Sequence, residues 1–170
     1  MLVLATSLRQ LRFSELMEVY ADSNEEKASD WSNLPHGYAL TLAEQDFRQY
    51  LDEVFFRTPD AVCAVWEEKG YYVSALRLEP YKDGLLLEAL ETHPDQRMKG
   101  YAAMLISAVQ QHLGSVKIYS HVSKSNTASM KTHEKCGFRQ ISDHAVYING
   151  SVDYRCSTLL YQAYENPCIL

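Results

Sequence analysis

One stretch restricts the possible folds more than any other. Between residues 61 and 92, three runs rich in Val, Tyr and Leu follow one another, separated only by the turns "EEKG" and "YKDG". Such residues favour β-strands, and clusters of Gly, Asp and Lys interrupt them. Loops this short can join only neighbouring antiparallel strands, because a parallel pair needs a long crossover. The sequence therefore predicts a three-stranded antiparallel meander that ends at Thr92.

The segment before the meander contains two helical patterns. Apolar residues at helical spacing predict a first helix near residues 7–21. Residues 22–38 are acidic and polar and contain Pro35 and Gly37, which indicates a loop, either without regular structure or with a short helix. Thr41 and Glu44 form a T-x-x-E capping box, so a second helix is expected from there to "TPD" at 58–60.

After the meander, helices and strands alternate. A helix is predicted from about Lys99 to Leu113, with Gly114 as its stop, and "VKIYSHV" (116–122) is predicted to be a strand. "NTASMKTHEKCGF" reads as a helix capped by Asn126 and ended by Gly137. Residues 138–162 predict two strands around a type I′ turn at Asn149-Gly150.

The element order is therefore α-α-βββ-α-β-α-ββ. It predicts an α+β protein, or α/β under a looser definition, with a mixed sheet and helices on its faces. A chain of 170 residues fits a single domain spanning 1–170.

Composition excludes several classes of function. Sixteen Lys and Arg against 22 Asp and Glu give a formal net charge of -6, which argues against non-specific binding to nucleic acid or to an anionic membrane. The four cysteines show no zinc-type spacing, so we expect reduced core thiols and no metal: Cys63, Cys136, Cys156 and Cys168. The sequence has neither a signal-peptide pattern nor an apolar run of the roughly 18 residues a membrane span needs, so a cytoplasmic location is expected.

The stretch "THPDQRMKGYAAML" brings Arg97, Lys99 and Gly100 to the start of the third predicted helix. A helix N-terminus has unpaired backbone NH groups and a positive dipole end, and glycine lets an anion approach the main chain. The residues alone leave two interpretations open, a phosphate cradle or an ordinary strand-to-helix turn. The stretch is neither a Walker A loop nor a dinucleotide G-x-G-x-x-G.

Two motifs resemble those of the GNAT superfamily of acyl-CoA-dependent N-acetyltransferases. Residues 97–102, "RMKGYA", match its R/Q-x-x-G-x-G/A signature between a strand and a helix. Residues 126–138, "NTASMKTHEKCGF", resemble its N-x-x-[AS]-x-x-x-[YH]-E-K-x-G-F segment. The resemblance covers about Ala61 to Gln162. It implies a GNAT-type fold, with a central, mostly antiparallel, twisted sheet flanked by helices on both faces.

The resemblance also implies which residues bind acetyl-CoA. The loop equivalent to residues 97–102 wraps the coenzyme A pyrophosphate in that family, and the preceding strand contacts pantetheine and the acetyl group through its main chain. The residues expected to bind the cofactor are therefore Leu90, Glu91, Thr92, Arg97, Met98, Lys99, Gly100, Tyr101, Ala102 and Asn126.

An ammonium group must lose a proton before its nitrogen can attack a thioester, so a general base is useful. Glu88 is the first candidate, because strand alternation puts it on the face of Leu86 and Leu90, where burial would strengthen it as a base. A solvent-facing Glu is the competing interpretation. The family often uses a Tyr as proton donor to the thiolate, and here the matching residue is His133. His133 is thus either the donor or a packed core residue, and Tyr101, Tyr119 and Tyr147 are spare donors.

The resemblance predicts an N-acetyltransferase that moves acetyl from acetyl-CoA to a primary amine by direct transfer in a ternary complex. The alternative is a catalytically silent acyl-CoA-binding sensor or interaction module. By analogy, the acidic segment would line the acceptor side with Asp22, Glu25, Glu26, Asp30, Trp31 and Tyr38. The expected acceptor is a small-molecule or peptide amine. Dimers are common in the family, and the last strand with the tail "ENPCIL" could pair across a two-fold axis in a homodimer.

Overall fold

The computed structural model describes residues 1–163, so Cys168 and the "ENPCIL" tail, on which part of the dimer prediction rests, lie outside it. The helices are α1 (Phe13–Val19), α2 (Ala21–Ala28), α3 (His36–Glu53), α4 (Tyr101–Leu113) and α5 (Thr127–Lys135). The strands are β1 (Leu2–Ala5), β2 (Val62–Glu68), β3 (Tyr71–Tyr81), β4 (Gly84–Thr92), β5 (Lys117–Ser123), β6 (Arg139–Ser142), β7 (Ala145–Val146), β8 (Val152–Asp153) and β9 (Cys156–Tyr161).

Seven of the strands form one sheet in the order β1-β2-β3-β4-β5-β9-β6. Neighbouring strands are antiparallel except for β4 and β5, which are parallel. One core packs α1 and α3 against one face of the sheet, and a second packs α4 against the other. The prediction of a mixed, mostly antiparallel sheet with helices on both faces is therefore confirmed.

The predicted meander is confirmed as β2, β3 and β4. Its first turn consists of Lys69 and Gly70, both with positive φ (51° and 86°). A two-residue turn with positive φ at both positions matches the right-handed twist of the strands that it joins. The turn chemistry of the sequence was thus sufficient to place these three strands.

The N-terminal predictions needed correction. Residues 2–5 form β1, a short edge strand that the sequence analysis missed. Much of the predicted loop over 22–38 is helical, because α2 buries Asn24 and Ala28. The helix predicted to start at Thr41 begins at His36, after Pro35, and Thr41 Oγ1 donates a hydrogen bond to the Gly37 carbonyl (2.9 Å). The capping box was therefore wrong, since Thr41 bonds within the helix instead of capping it.

The C-terminal hairpin also differs from its prediction. β6 and β9 pair with each other, and the small β7–β8 hairpin is inserted between them. Gly150 has a φ of 82°, but Asn149 is not in the positive-φ region. A type I′ turn needs positive φ at both central residues, so this part of the prediction was wrong.

Candidate functional site

The most distinctive feature of the sheet is the place where its two parallel strands part. The ladder between β4 and β5 runs from the pair Gly84–Lys117 to the pair Leu87–Ser120. β4 then continues to Thr92 and β5 to Ser123. The two strands diverge in this second half, and an opening lies between them in the middle of the sheet.

A β-bulge at Ala89 lies at the start of this divergence. Arg77 on β3 faces Glu88, but Ala75 faces Glu91, so β4 contains one residue more than its partner. Ala89 takes the left-handed conformation, with φ 49°, and its carbonyl accepts a hydrogen bond from the buried Tyr20 hydroxyl (2.9 Å). The bulge changes the alternation of β4 at the point where the opening begins.

A groove of about 750 Å³ follows the opening to the N-terminus of α4. Nine of the ten residues that the family resemblance assigned to the cofactor line it: Leu90, Glu91, Thr92, Arg97, Met98, Gly100, Tyr101, Ala102 and Asn126. The tenth, Lys99, does not line the groove but lies in the same loop, between Met98 and Gly100. Asn126 caps α5, where its side chain accepts from the Ser129 NH (3.0 Å). The structure thus brings the two sequence motifs together around one groove.

The N-terminus of α4 has the geometry of an anion site. Gly100 is the N-cap, with φ 83°, and a Cβ built there would meet no atom within 4 Å. Residues 101–103 are the first three of α4, and their backbone NH groups have no acceptor within the helix. Tyr101, Ala102 and Ala103 all line the groove, so a phosphate can reach these NH groups past Gly100.

Arg97 and Lys99 are already engaged with nearby groups. Arg97 donates to the Asp22 carboxylate on α2 (2.6 Å) and to the Thr92 carbonyl (3.3 Å). Lys99 donates to Gln96 Oε1 (2.8 Å), within its own loop. Both cations lie beside the groove, and a phosphate ligand would compete for them.

Glu88 lies in a smaller cavity of about 180 Å³ at the point where the strands part. Its side chain is 28% exposed, and its Oε1 lies 3.3 Å from the Arg77 guanidinium. Glu88 is paired with Arg77 across the β3–β4 ladder, and both side chains lie on the face of the sheet that packs against α3. The Phe47 and Tyr50 rings of α3 contact the Arg77 guanidinium. Leu90, by contrast, packs in the core on the α4 side, because the bulge intervenes. The prediction that Glu88 and Leu90 share a face was wrong.

His133 lines the same small cavity from α5. Its side chain is buried, with 1% exposure, and its ring packs edge-on against Phe138 (centroids 5.0 Å apart). Nδ1 lies 2.8 Å from the Ser129 carbonyl oxygen, whereas Nε2 is buried without a hydrogen-bond partner among residues 1–163. Burial lowers the pKa of His133, so the neutral ring predominates near pH 7.

His121 is a cavity residue that the sequence analysis missed. It lies on β5 and contacts the rings of Tyr81 and Tyr147. Nε2 lies 3.2 Å from the Val146 carbonyl and Nδ1 lies 3.1 Å from Thr158 Oγ1, so both nitrogens have protein partners. Burial lowers its pKa. Through these contacts His121 holds the β7–β8 hairpin against the sheet and acts as a positioning residue. The alternation of apolar and polar residues in "IYSHVS" could have identified it from the sequence.

The spare tyrosines occupy different environments. Tyr101 lines the large groove. The hydroxyl of Tyr119 donates to Asp83, and this hydrogen bond raises the pKa of Tyr119 to about 12. The hydroxyl of Tyr147 lies 3.9 Å from Cys156 Sγ.

The acidic acceptor-side residues named above do not all converge. Asp22 and Glu26 line the groove from α2. Glu25 instead pairs with His36, and Asp30 pairs with Lys27. The two that converge give one wall of the groove a negative character.

Within residues 1–163, no group of His, Cys, Asp and Glu has the arrangement of a metal site. No helix in that range is long and apolar enough to cross a bilayer.

The sheet order and the opening between the parallel strands β4 and β5 are those of a mixed α+β fold. Comparisons with known proteins identify the family to which this fold belongs. The model of the Acetyltransferase (GNAT) family matches residues 8–138. This match spans most of the sequence, so the chain belongs to the GNAT acetyltransferase family. A search of curated protein sequences found no match.

Solved structures show the same fold at low sequence identity. The ribosomal-protein-S18-alanine N-acetyltransferase from Escherichia coli is 17% identical, with 98% of each chain covered and a TM-score of 0.59. Aminoglycoside 6'-acetyltransferase type Ii is 13% identical, covering 97% of this chain and 99% of its own, with a TM-score of 0.63. The PaiA N-acetyltransferase from Thermoplasma acidophilum, solved with coenzyme A, is 11% identical, covering 96% and 99%, with a TM-score of 0.61.

Proposed function

We propose that this protein transfers an acetyl group from acetyl-CoA to a primary amine, directly, within a ternary complex. The observation that carries the proposal is the continuity of the site. The opening between β4 and β5 leads into a groove that ends at the N-terminus of α4. A long ligand with an acyl group at one end and phosphates at the other fits that course.

The cofactor would lie with its pyrophosphate against the NH groups of Tyr101, Ala102 and Ala103. Arg97 and Lys99 would add positive charge, and Met98 would contribute backbone. Pantetheine would run between the diverging strands, along the main chain of residues 90–92 and past Asn126. A backbone NH near Leu90 would polarise the thioester carbonyl, a contribution of the oxyanion-hole type.

The acceptor would enter from the face of the sheet that carries Glu88. This face is covered by α1 and α3, and next to them by the β7–β8 hairpin that His121 ties down. The carboxylates of Glu88, Asp22 and Glu26 favour a cationic acceptor. Glu88 would receive the first proton of the ammonium group, directly or through water.

The test is an acetyl-transfer assay with purified protein, acetyl-CoA and a panel of amines: an alanyl peptide, an aminoglycoside and small amines. Release of the CoA thiol and the mass of the product are both measured. We expect acetylation of at least one class of amine. Glu88→Gln should lower kcat at neutral pH by about 10²-fold and leave acetyl-CoA affinity unchanged, as expected for loss of a general base.

A silent acyl-CoA-binding module predicts a different outcome, namely tight cofactor binding with neither transfer nor slow hydrolysis of the thioester. That result across the panel would replace the enzymatic proposal. A cytoplasmic location and a homodimer remain predictions, to be checked by fractionation and by light scattering.

A further inference from the structure

The tautomer of His133 follows from its one hydrogen bond to the main chain. Nδ1 lies 2.8 Å from the Ser129 carbonyl oxygen, which can only accept. Nδ1 therefore carries the hydrogen. In a neutral imidazole only one nitrogen is protonated, so Nε2 has a free lone pair that can accept a hydrogen bond. In the free protein His133 is therefore an acceptor at Nε2, and it can act as the proton donor that the family resemblance implies only after Nε2 has taken up a proton.

This lone pair has no partner in the described part of the chain. Nε2 is buried and unbonded, and the ring is 1% exposed. Native proteins seldom leave such an acceptor unsatisfied, because it has lost its hydrogen bonds to water without replacement. The ring lines the cavity where β4 and β5 part, so a ligand in that cavity could supply the missing donor.

Two other titratable side chains line this cavity, Glu88 from β4 and His121 from β5. Arg77 lies beside Glu88, and both nitrogens of His121 already have partners. The Phe138 ring that packs on His133 is apolar. Among these cavity-lining groups, Nε2 of His133 is thus the basic nitrogen that remains available.

We propose that His133, through Nε2, carries one proton from the acceptor nitrogen to the sulfur of coenzyme A. The inference rests on the acetyl transfer proposed above and assigns its second proton. One residue would then act first as a base and next as an acid.

The proposed sequence balances as follows. The ammonium loses its first proton to solvent by way of Glu88. The free amine forms a bond to the thioester carbon, giving a tetrahedral species with positive nitrogen and negative oxygen. Nε2 takes the second proton from that nitrogen. The carbonyl re-forms, the C–S bond breaks with its electron pair on sulfur, and Nε2–H protonates the thiolate. The products are the amide, the thiol, neutral His133 and one proton in solvent.

A direct consequence is that the product thiol, but not the thioester, can donate a hydrogen bond to Nε2. The test uses protein labelled with 15N-histidine, with the His133 signals assigned by comparison with His133→Tyr. In the free protein we expect protonated Nδ1 and unprotonated Nε2. Coenzyme A should shift the Nε2 resonance towards the protonated range, and acetyl-CoA, which has no S–H, should not.

Two results would overturn the proposal: a protonated Nε2 in the free protein, or the same Nε2 response to both ligands. Calorimetry on the same samples separates the two levels of inference. If coenzyme A does not bind, the proposed function fails; if it binds and Nε2 does not respond, only the role of His133 fails.

A kinetic arm uses any amine that the panel identifies. His133→Gln should lower kcat by about 10²-fold or more while leaving the KM for acetyl-CoA nearly unchanged, as expected for lost proton transfer. His133→Tyr should restore part of kcat and remove the inactivation at low pH that protonation of His133 causes. An unaltered kcat and pH profile in His133→Gln would contradict the proposal.

Discussion

Gly100→Glu tests the phosphate cradle by adding a negative charge where the pyrophosphate is proposed to bind. Gly100 lines the groove, has φ 83° and has open space around a built Cβ, so a side chain can start there without a clash. Two unit charges 4 Å apart at an effective dielectric constant of 20 repel by about 4 kcal/mol. Such a penalty would weaken acetyl-CoA binding by about 10³-fold. The assay is calorimetric titration of acetyl-CoA into cofactor-free protein.

Gly150→Glu is the matched control. Gly150 has φ 82° and equally open surroundings, but it lies in the β7–β8 hairpin, away from the groove. Both substitutions carry the same left-handed backbone penalty, about 1–2 kcal/mol of stability, so a difference in binding reports the site alone. Gly100→Gln separates the charge of the new side chain from its bulk. If Gly100→Glu binds acetyl-CoA as well as Gly150→Glu does, or if the unmodified protein does not bind it, the reasoning is refuted.

Three further predictions concern the surroundings of the groove. Asp22→Asn frees Arg97 from its ion pair, so acetyl-CoA should bind about two- to fivefold more tightly by calorimetry, and weaker binding would count against the competition. Tyr20→Phe leaves the Ala89 carbonyl without this donor and should lower the free energy of unfolding, measured in urea, by about 1–2 kcal/mol. An unchanged urea midpoint would show that the Tyr20 hydroxyl does not stabilise the bulge. Burial raises the pKa of Cys63 to about 12, above its unfolded value near 9, so its contribution to stability is complete below pH 9 and is lost as pH rises towards 12. The urea midpoint should therefore fall more steeply above pH 9 in the unmodified protein than in Cys63→Ala.

Where local chemistry decides the structure, the sequence predicted it well. Lys69-Gly70 can hardly form anything but a tight turn, and the helix ends at Gly100, Asn126 and Gly137 are placed by the backbone conformations that these residues favour. Gly100 and Asn126 also line the proposed cofactor groove, whose residues were predicted from the two family motifs that contain these positions.

Where tertiary contacts decide, the sequence was not enough. Residues 22–38 look like a loop, but α2 becomes stable by burying Asn24 and Ala28 against its neighbours. The bulge at Ala89 has no glycine to announce it, since Ala takes φ 49° only because the surrounding sheet imposes it. That bulge and the tautomer of His133 determine the chemistry proposed for the site, and neither can be read from residue types.

A crystal structure of the protein with acetyl-CoA would test the central claim most directly. We expect the pyrophosphate at the N-terminus of α4, beside Gly100, and the acetyl group between β4 and β5, just beyond the pair Leu87–Ser120. Acetyl-CoA bound elsewhere, with the opening between these strands left empty, would contradict the proposed cofactor site.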